Sequence, residues 1–267
     1  NPQGPLFKVN GFDYLIIDKA TSGDVILGTN IAVNKTLTLT KGLITTGSNK
    51  VTVESSGNIP GGSTSSHING ILEMNFLATG SKIFHTGKGG NYRPMTFDFT
   101  SLSGNSYVAV EQMESTIPNA PPTGTSVIPG RHWAVSQTNP GVVNYNITLD
   151  ATGFSPWGTV YMIKNQGGAN ISYTTSGAWP NYTNASVFTS LSGQNYFGFG
   201  AGCNVEVQGT EPTICYATLK DAFDAINAGT HTGAIEVRIL NSTTETATAS
   251  LNASGTGLSN YSGITVF

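Results

Sequence analysis

The stretch from Asp24 to Val53, DVILGTNIAVNKTLTLTKGLITTGSNKVTV, narrows the possible folds more than any other part of this chain. Short alternating runs at 25–27, 31–33, 37–39, 43–45 and 51–53 put an apolar side chain on every second position. The spacers between them are rich in Gly, Asn, Lys and Ser and too short for crossover helices. Runs this short do not pair as long hairpins either. A coil winding about one axis, with each strand stacked on its counterpart one turn later, meets both limits and predicts a few rungs of β-solenoid.

The rest of the chain extends this all-β reading in three segments. Residues 1–88 form the solenoid, with an extended lead-in and with 54–69, rich in Gly and Ser, as a long loop projecting from the coil. Strand patterns at 71–76 and 82–85 supply its last rungs, and the next domain caps the stack. Within 89–202, longer alternating runs near 95–99, 106–112, 132–137, 145–150, 159–164, 171–175 and 196–199 alternate with Gly, Pro and Asn turns. That spacing predicts an antiparallel β-sandwich of the Ig-like type, with Trp133 and Trp157 in its core. The Pro-rich 117–130 segment is excluded from any central strand.

Segment 203–267 holds both cysteines and the only convincing helix. Cys203 and Cys215 flank the turn-prone VQGTEPT and read as a disulfide, the alternative being two buried thiols. A disulfide implies export. Over 218–229, Leu219, Ala222, Phe223 and Ile226 share one face, Thr218 with Asp221 resembles a capping box, and Gly229 suits the stop. Alternation then resumes at 234–240. A short amphipathic helix before a first rung covers the open end of a coil, so this segment reads as a capping helix opening a second, truncated β-helix. The first residues, Asn1-Pro2-Gln3, and the strand-like end at Ile264 to Phe267 read as the cut ends of a piece of something longer.

Charged residues are only 10% of the chain and the net charge is −3, which disfavours nucleic acid and anionic membranes as partners. No apolar run is long enough to span a bilayer. Catalysis on a β-helix needs carboxylates or cations clustered on neighbouring rungs. Asp13, Asp18, Asp24, Glu54 and Glu73 give no tight pair and no acid repeated at rung spacing, while Asp221 and Asp224 fall on the polar face of the helix. His67, His85, His132 and His231 lack metal-ligand spacing, and no G-x-S-x-G elbow is present. No enzyme and no cofactor is expected. Structural calcium stays open, without an Asp-rich loop of EF-hand or nonapeptide type to hold it.

One stretch suggests a ligand. In YTTSGAWPNY, Trp179 beside Pro180, with Asn181 and Tyr182, either presents an aromatic face and amide hydrogen bonds to a sugar or folds back over the sandwich edge. The N-x-S/T triplets at Asn146, Asn170, Asn181 and Asn252 carry little weight in a chain so rich in these residues.

The phrases NIAVNKTLTLTKGLITTGSNKVTV, GNYRPMTFDF, RHWAVSQ, NYNITLDATGF and CYATLKDAFDAINAGTHTGAIEVRILNSTTETATASLN together resemble the large, repetitive surface proteins of Bacteroidetes. That resemblance spans nearly the whole chain. It implies export by the type IX secretion system and a role in adhesion or gliding, with no catalytic residue carried over. The family's usual C-terminal sorting domain has no counterpart here. The expected function is a structural and display segment of an extracellular or cell-surface adhesin. Its partners would be other modules of the same chain, neighbouring copies, or surface glycans. A self-assembling filament subunit and a module of a polysaccharide-degrading enzyme are the alternatives.

Overall fold

The computed structural model describes residues 11–19, 23–122, 125–127, 130–138, 143–153, 160–211 and 213–267, and of Ser126 and Val127 the backbone alone. Trp157 lies outside the described residues. The chain divides into two compact units, the second built mainly from residues 200 onward.

The first unit begins as a parallel coil of about three turns. Strand β1 (Phe12–Asp18) lies on β3 (Ile31–Lys41), β2 (Val25–Ile26) on β4 (Ile44–Val53), and β3 on β4, all parallel. Strand β5 (Ile68–Phe76) adds the next layer on β4, with Val51 opposite Leu72 and Val53 opposite Met74. Alternation in the sequence thus becomes stacking in the coil: Val33, Val53 and Met74 form one buried column and Ile44 and Ile68 another. Leu37 and Leu39 point inward between outward threonines.

The stretch 54–69 is a rung and not a projecting loop. Asn58 N–H donates to Lys35 O at 2.8 Å, Leu37 N–H donates to Asn58 O at 3.1 Å, and Gly42 N–H donates to Ser65 O at 2.8 Å. Ile59, Ser66 and His67 are buried. Neighbouring strands supply the backbone partners, so Ile59 and Ile68 suffice as inward apolar side chains in a stretch otherwise rich in Gly and Ser.

Beyond β5 the pairing changes direction within the same ladder. The free edge of β5 takes β10 (Ser106–Met113) antiparallel, followed by β12 (His132–Thr138) and then β17 (Gln194–Gly202). A second antiparallel ladder runs β6 (Gly80–Phe84), β9 (Met95–Leu102), β13 (Val143–Asp150), β16 (Asn181–Asn184) and β15 (Ala169–Ala178). Two short strands, β7 (Thr86–Lys88) and β8 (Asn91–Tyr92), close a hairpin on the coil. Of the predicted last rung at 82–85, residues 82–84 therefore belong to the second ladder, while His85 O accepts from Ile68 N–H on the coil at 2.9 Å. Strand β16 was not legible as a strand, because four residues ending in Asn carry too little alternation. Aromatic rings fill the space between the ladders. Phe76 meets Phe99 edge-on at 4.9 Å, Phe97 stacks on Tyr145 at 4.8 Å, and Phe188 meets Phe197 at 5.7 Å. Trp133 is fully buried, as its alternation predicts.

Strand β14 (Val160–Gln166) precedes β15, and the Pro-rich segment holds one short strand, β11 (Thr125–Val127), paired with Gly200–Gly202. In the second unit, β18 (Val205–Gln208) pairs antiparallel with β19 (Ile214–Tyr216) and β20 (Thr232–Ile239). Strand β21 (Asn260–Val266) then joins β20 in parallel. Helix α1 (Leu219–Asn227) packs Ala222 and Ile226 against Val205, Val207, Ile235 and Val237. Its start is held by Thr218, whose hydroxyl accepts from Asp221 N–H at 3.0 Å. Glu245 adds a second cap, accepting from the N–H groups of Leu219 and Lys220 at 2.9 and 3.0 Å. A carboxylate arriving from 26 residues downstream is invisible to a local motif.

Cys203 and Cys215 form the expected disulfide, closing a separation of 12 residues across β18 and β19. Replacing both with serine is expected to cost the second unit about 3 kcal/mol, from the loop-closure entropy returned to the unfolded chain. Urea unfolding of the double variant, matched by the wild type in reductant, measures it. Equal midpoints with and without reductant would contradict the expectation.

Candidate functional site

On the coil, Asp13, Asp24, Glu54 and Glu73 act as braces between rungs. Asp13 pairs with Lys35 at 2.8 Å, Asp24 accepts from Thr45 at 2.6 Å, and Glu73 binds both Lys50 at 2.6 Å and Thr52 at 2.9 Å. Glu54 accepts from Asn75 and from Tyr107, both at 3.1 Å. The brace partners within the coil stand 21 to 23 positions apart, one turn of the coil. The acids do not repeat at rung spacing; Asp13, Asp24 and Glu54 find Lys35, Thr45 and Asn75 one turn later and Glu73 finds Lys50 and Thr52 one turn earlier, a signal that a search for paired carboxylates misses. Asp224 pairs with Lys220 on the helix.

Beside the Glu54 brace lies a cleft of about 400 Å³. Its walls come from the turn after β4 and the turn joining β5 to β6, and include Ser55, Ser56, Leu77, Thr79, Ser81 and Lys82. The first turn is closed by Gly57 N–H donating to Glu54 O at 2.8 Å. Lys82 crosses between the two. Its Nζ donates to Ser55 O at 3.2 Å and stands 5.3 Å from the centre of the Phe76 ring. Burial alone lowers its pKa, and among the described residues it makes no ion pair. Leu77 is 62% exposed at the mouth. The cleft thus offers hydroxyls, the apolar side chains of Phe76, Leu77 and Ala78, and one positive charge that makes no ion pair among the described residues.

A second unpaired cation is buried in the aromatic layer. Lys164 on β14 donates to Ser190 O at 2.6 Å and lies 5.6, 5.1 and 6.0 Å from the ring centres of Tyr145, Phe188 and Phe197. Burial pushes its pKa down to about 8. Burial also lowers all four histidines, which sit on separate hydrogen bonds: His67 to Ser63 O, His85 to Tyr92 OH, His132 to Ser115 O and His231 to Tyr216 OH.

These shifts set the sign of the pH dependence. In each case the unfolded chain binds protons that the folded chain refuses, so stability rises with pH. For the histidines it is lost as pH falls below about 6.5, through their lowered folded values. For Lys164 it grows as pH climbs from about 8 towards the free-lysine value, by about 1–2 kcal/mol before tyrosine ionisation intervenes. Urea unfolding at stepped pH should show both rises. Lys164→Met should diminish only the alkaline one, leaving the part that Lys82 contributes; a variant that keeps all of it would refute the assignment.

The three residues with a predicted glycan role do not form one platform. Trp179 and Asn181 are exposed at the β15–β16 turn, with Trp179 at 55%. Tyr182 is half-buried and meets Phe199 edge-on at 6.1 Å, so its ring is engaged in packing. Asn146 and Asn170 are likewise engaged, Asn170 donating to Pro118 O at 2.9 Å and Asn146 accepting from Asn184 at 2.9 Å. Cys203, Glu206 and Cys215 converge, but both sulfurs are bonded to each other.

Together these features define an all-β chain that carries a parallel coil into antiparallel ladders, with a separate disulfide-bonded sheet. No helix among the described residues is long and apolar enough to cross a membrane. No protein-family model, curated protein or solved structure matches the chain.

Proposed function

We propose that this chain is a structural and display segment of an extracellular or cell-surface adhesin, serving attachment or surface motility. The observation that carries the reading is the unbroken ladder of the first unit. From β1 through β3, β4, β5, β10 and β12 to β17, every strand hydrogen-bonds to the next, across the change from parallel to antiparallel. A ladder without a hinge resists bending because each strand is held on both edges, while turns at its margins vary freely. The use of the coil's acids as braces favours this reading over a polysaccharide-degrading module. In it, the antiparallel ladders are an Ig-like sandwich and the parallel pair β20–β21, entered by the capping helix, opens a second β-helix. Export follows from the disulfide, and the type IX surface proteins of Bacteroidetes are the proposed relatives.

Pulling the chain between its ends tests the reading. The first unit is expected to give way in one cooperative step at high force. Rung-by-rung unravelling at low force, or release of reducing sugar when the chain is incubated with polysaccharide, would overturn it.

A further inference from the structure

The cleft between the turn after β4 and the β5–β6 turn carries a charge that the protein does not balance. Lys35, Lys50, Lys88 and Lys220 each pair with a carboxylate, as do Arg93 and Arg238. Lys82 is half-buried and has one protein acceptor, Ser55 O, for three N–H donors. Holding an ammonium partly out of water without a counter-ion is costly, and a ligand anion removes that cost. A single ammonium, with no arginine fork beside it, matches one negative charge better than a phosphate dianion. Ser55, Thr79 and Ser81 bring hydroxyls that both donate and accept, and exposed Leu77 offers an apolar contact. The volume, about 400 Å³, falls in the range of small-ligand sites.

We propose that this cleft binds an acidic saccharide, with a uronate carboxylate on Lys82, its hydroxyls on Ser55, Thr79 and Ser81, and a C–H face of the ring on Leu77. The proposal rests on the display reading, for which it names the ligand class. It places the glycan contact on the coil, away from the Trp179 turn.

The test is calorimetric titration of the whole chain with trigalacturonate, its fully methyl-esterified form, and maltotriose. Trigalacturonate is expected to bind and to weaken as salt rises, with the ester and maltotriose weaker by about tenfold or more. Lys82→Gln removes the charge, is one atom shorter than lysine and keeps most of the aliphatic stem over Phe76, and should lose about tenfold as well. Lys35→Gln, on a rung brace, should bind as the wild type does. Thr79→Trp, in an exposed turn that tolerates a large side chain, should block the cleft and serves if Lys82→Gln does not fold. Absence of trigalacturonate binding, equal affinity for the ester, or wild-type affinity in a folded Lys82→Gln or in Thr79→Trp would each overturn the proposal. Because purified chain suffices, failure here leaves the pulling experiment standing, and failure there leaves the binding result standing.

Discussion

Gly70→Ala is expected to destabilise the first unit by about 3–5 kcal/mol. Gly70 sits inside β5 at φ +136°, a region that side-chain-bearing residues rarely enter. A Cβ there would lie 2.0 Å from Thr46 Oγ1 and 3.1 Å from Thr46 Cβ. Thr46 is fully buried, and its hydroxyl accepts from Ile71 N–H at 3.0 Å. To make room the hydroxyl must swing away, leaving a buried donor unsatisfied at about 1–3 kcal/mol, and the backbone strain adds about as much again. Urea unfolding measures the loss. Combining Gly70→Ala with Thr46→Ala should recover part of it, because the 2.0 Å clash with Oγ1 is removed while the 3.1 Å contact with Cβ, the strain and the orphaned N–H remain. A cost below about 1 kcal/mol, or strict additivity, would mean that the coil yields at this corner.

Trp133→Ala is expected to cost about 4–5 kcal/mol, enough to unfold a marginal domain at ambient temperature. Trp133 stands in the middle strand of three, opposite Gln112 on β10 and Phe197 on β17. Its indole meets Phe199 edge-on at 5.9 Å, and its Nε1–H donates to Arg93 O at 3.0 Å. Alanine would leave a cavity the size of the indole and remove the donor that Arg93 O meets from inside the core. Trp133→Phe keeps most of the volume, so its smaller cost, about 1–2 kcal/mol, isolates the hydrogen bond and the edge contact. Thermal melting of both variants checks the order; equal costs would place the whole effect in the lost donor.

The proposed binding surfaces were less legible than the fold, for a physical reason. Trp179 and Tyr182 are near in sequence, but alternation at the start of β16 sends Tyr182 towards Phe199 and leaves Trp179 outside. The cleft joins residues some 25 positions apart, such as Ser55 and Lys82, with 27 between their numbers. Nothing local marks Lys82 as unpaired. Its state depends on which carboxylates the coil consumes as braces, and that is decided by register between rungs.

Local sequence determined what local forces determine: strands from alternation of period two, the helix from Leu219, Ala222, Phe223 and Ile226, its first cap from Thr218, and the disulfide from a lone pair of cysteines. Only the tertiary structure decided that 54–69 lies in the coil, that β5 takes a parallel partner on one edge and an antiparallel one on the other, and that Glu245 caps a helix it follows. Alternation says which face of a strand is buried, but the backbone groups on its edges are alike in every strand. Partner and direction are therefore settled by long-range packing.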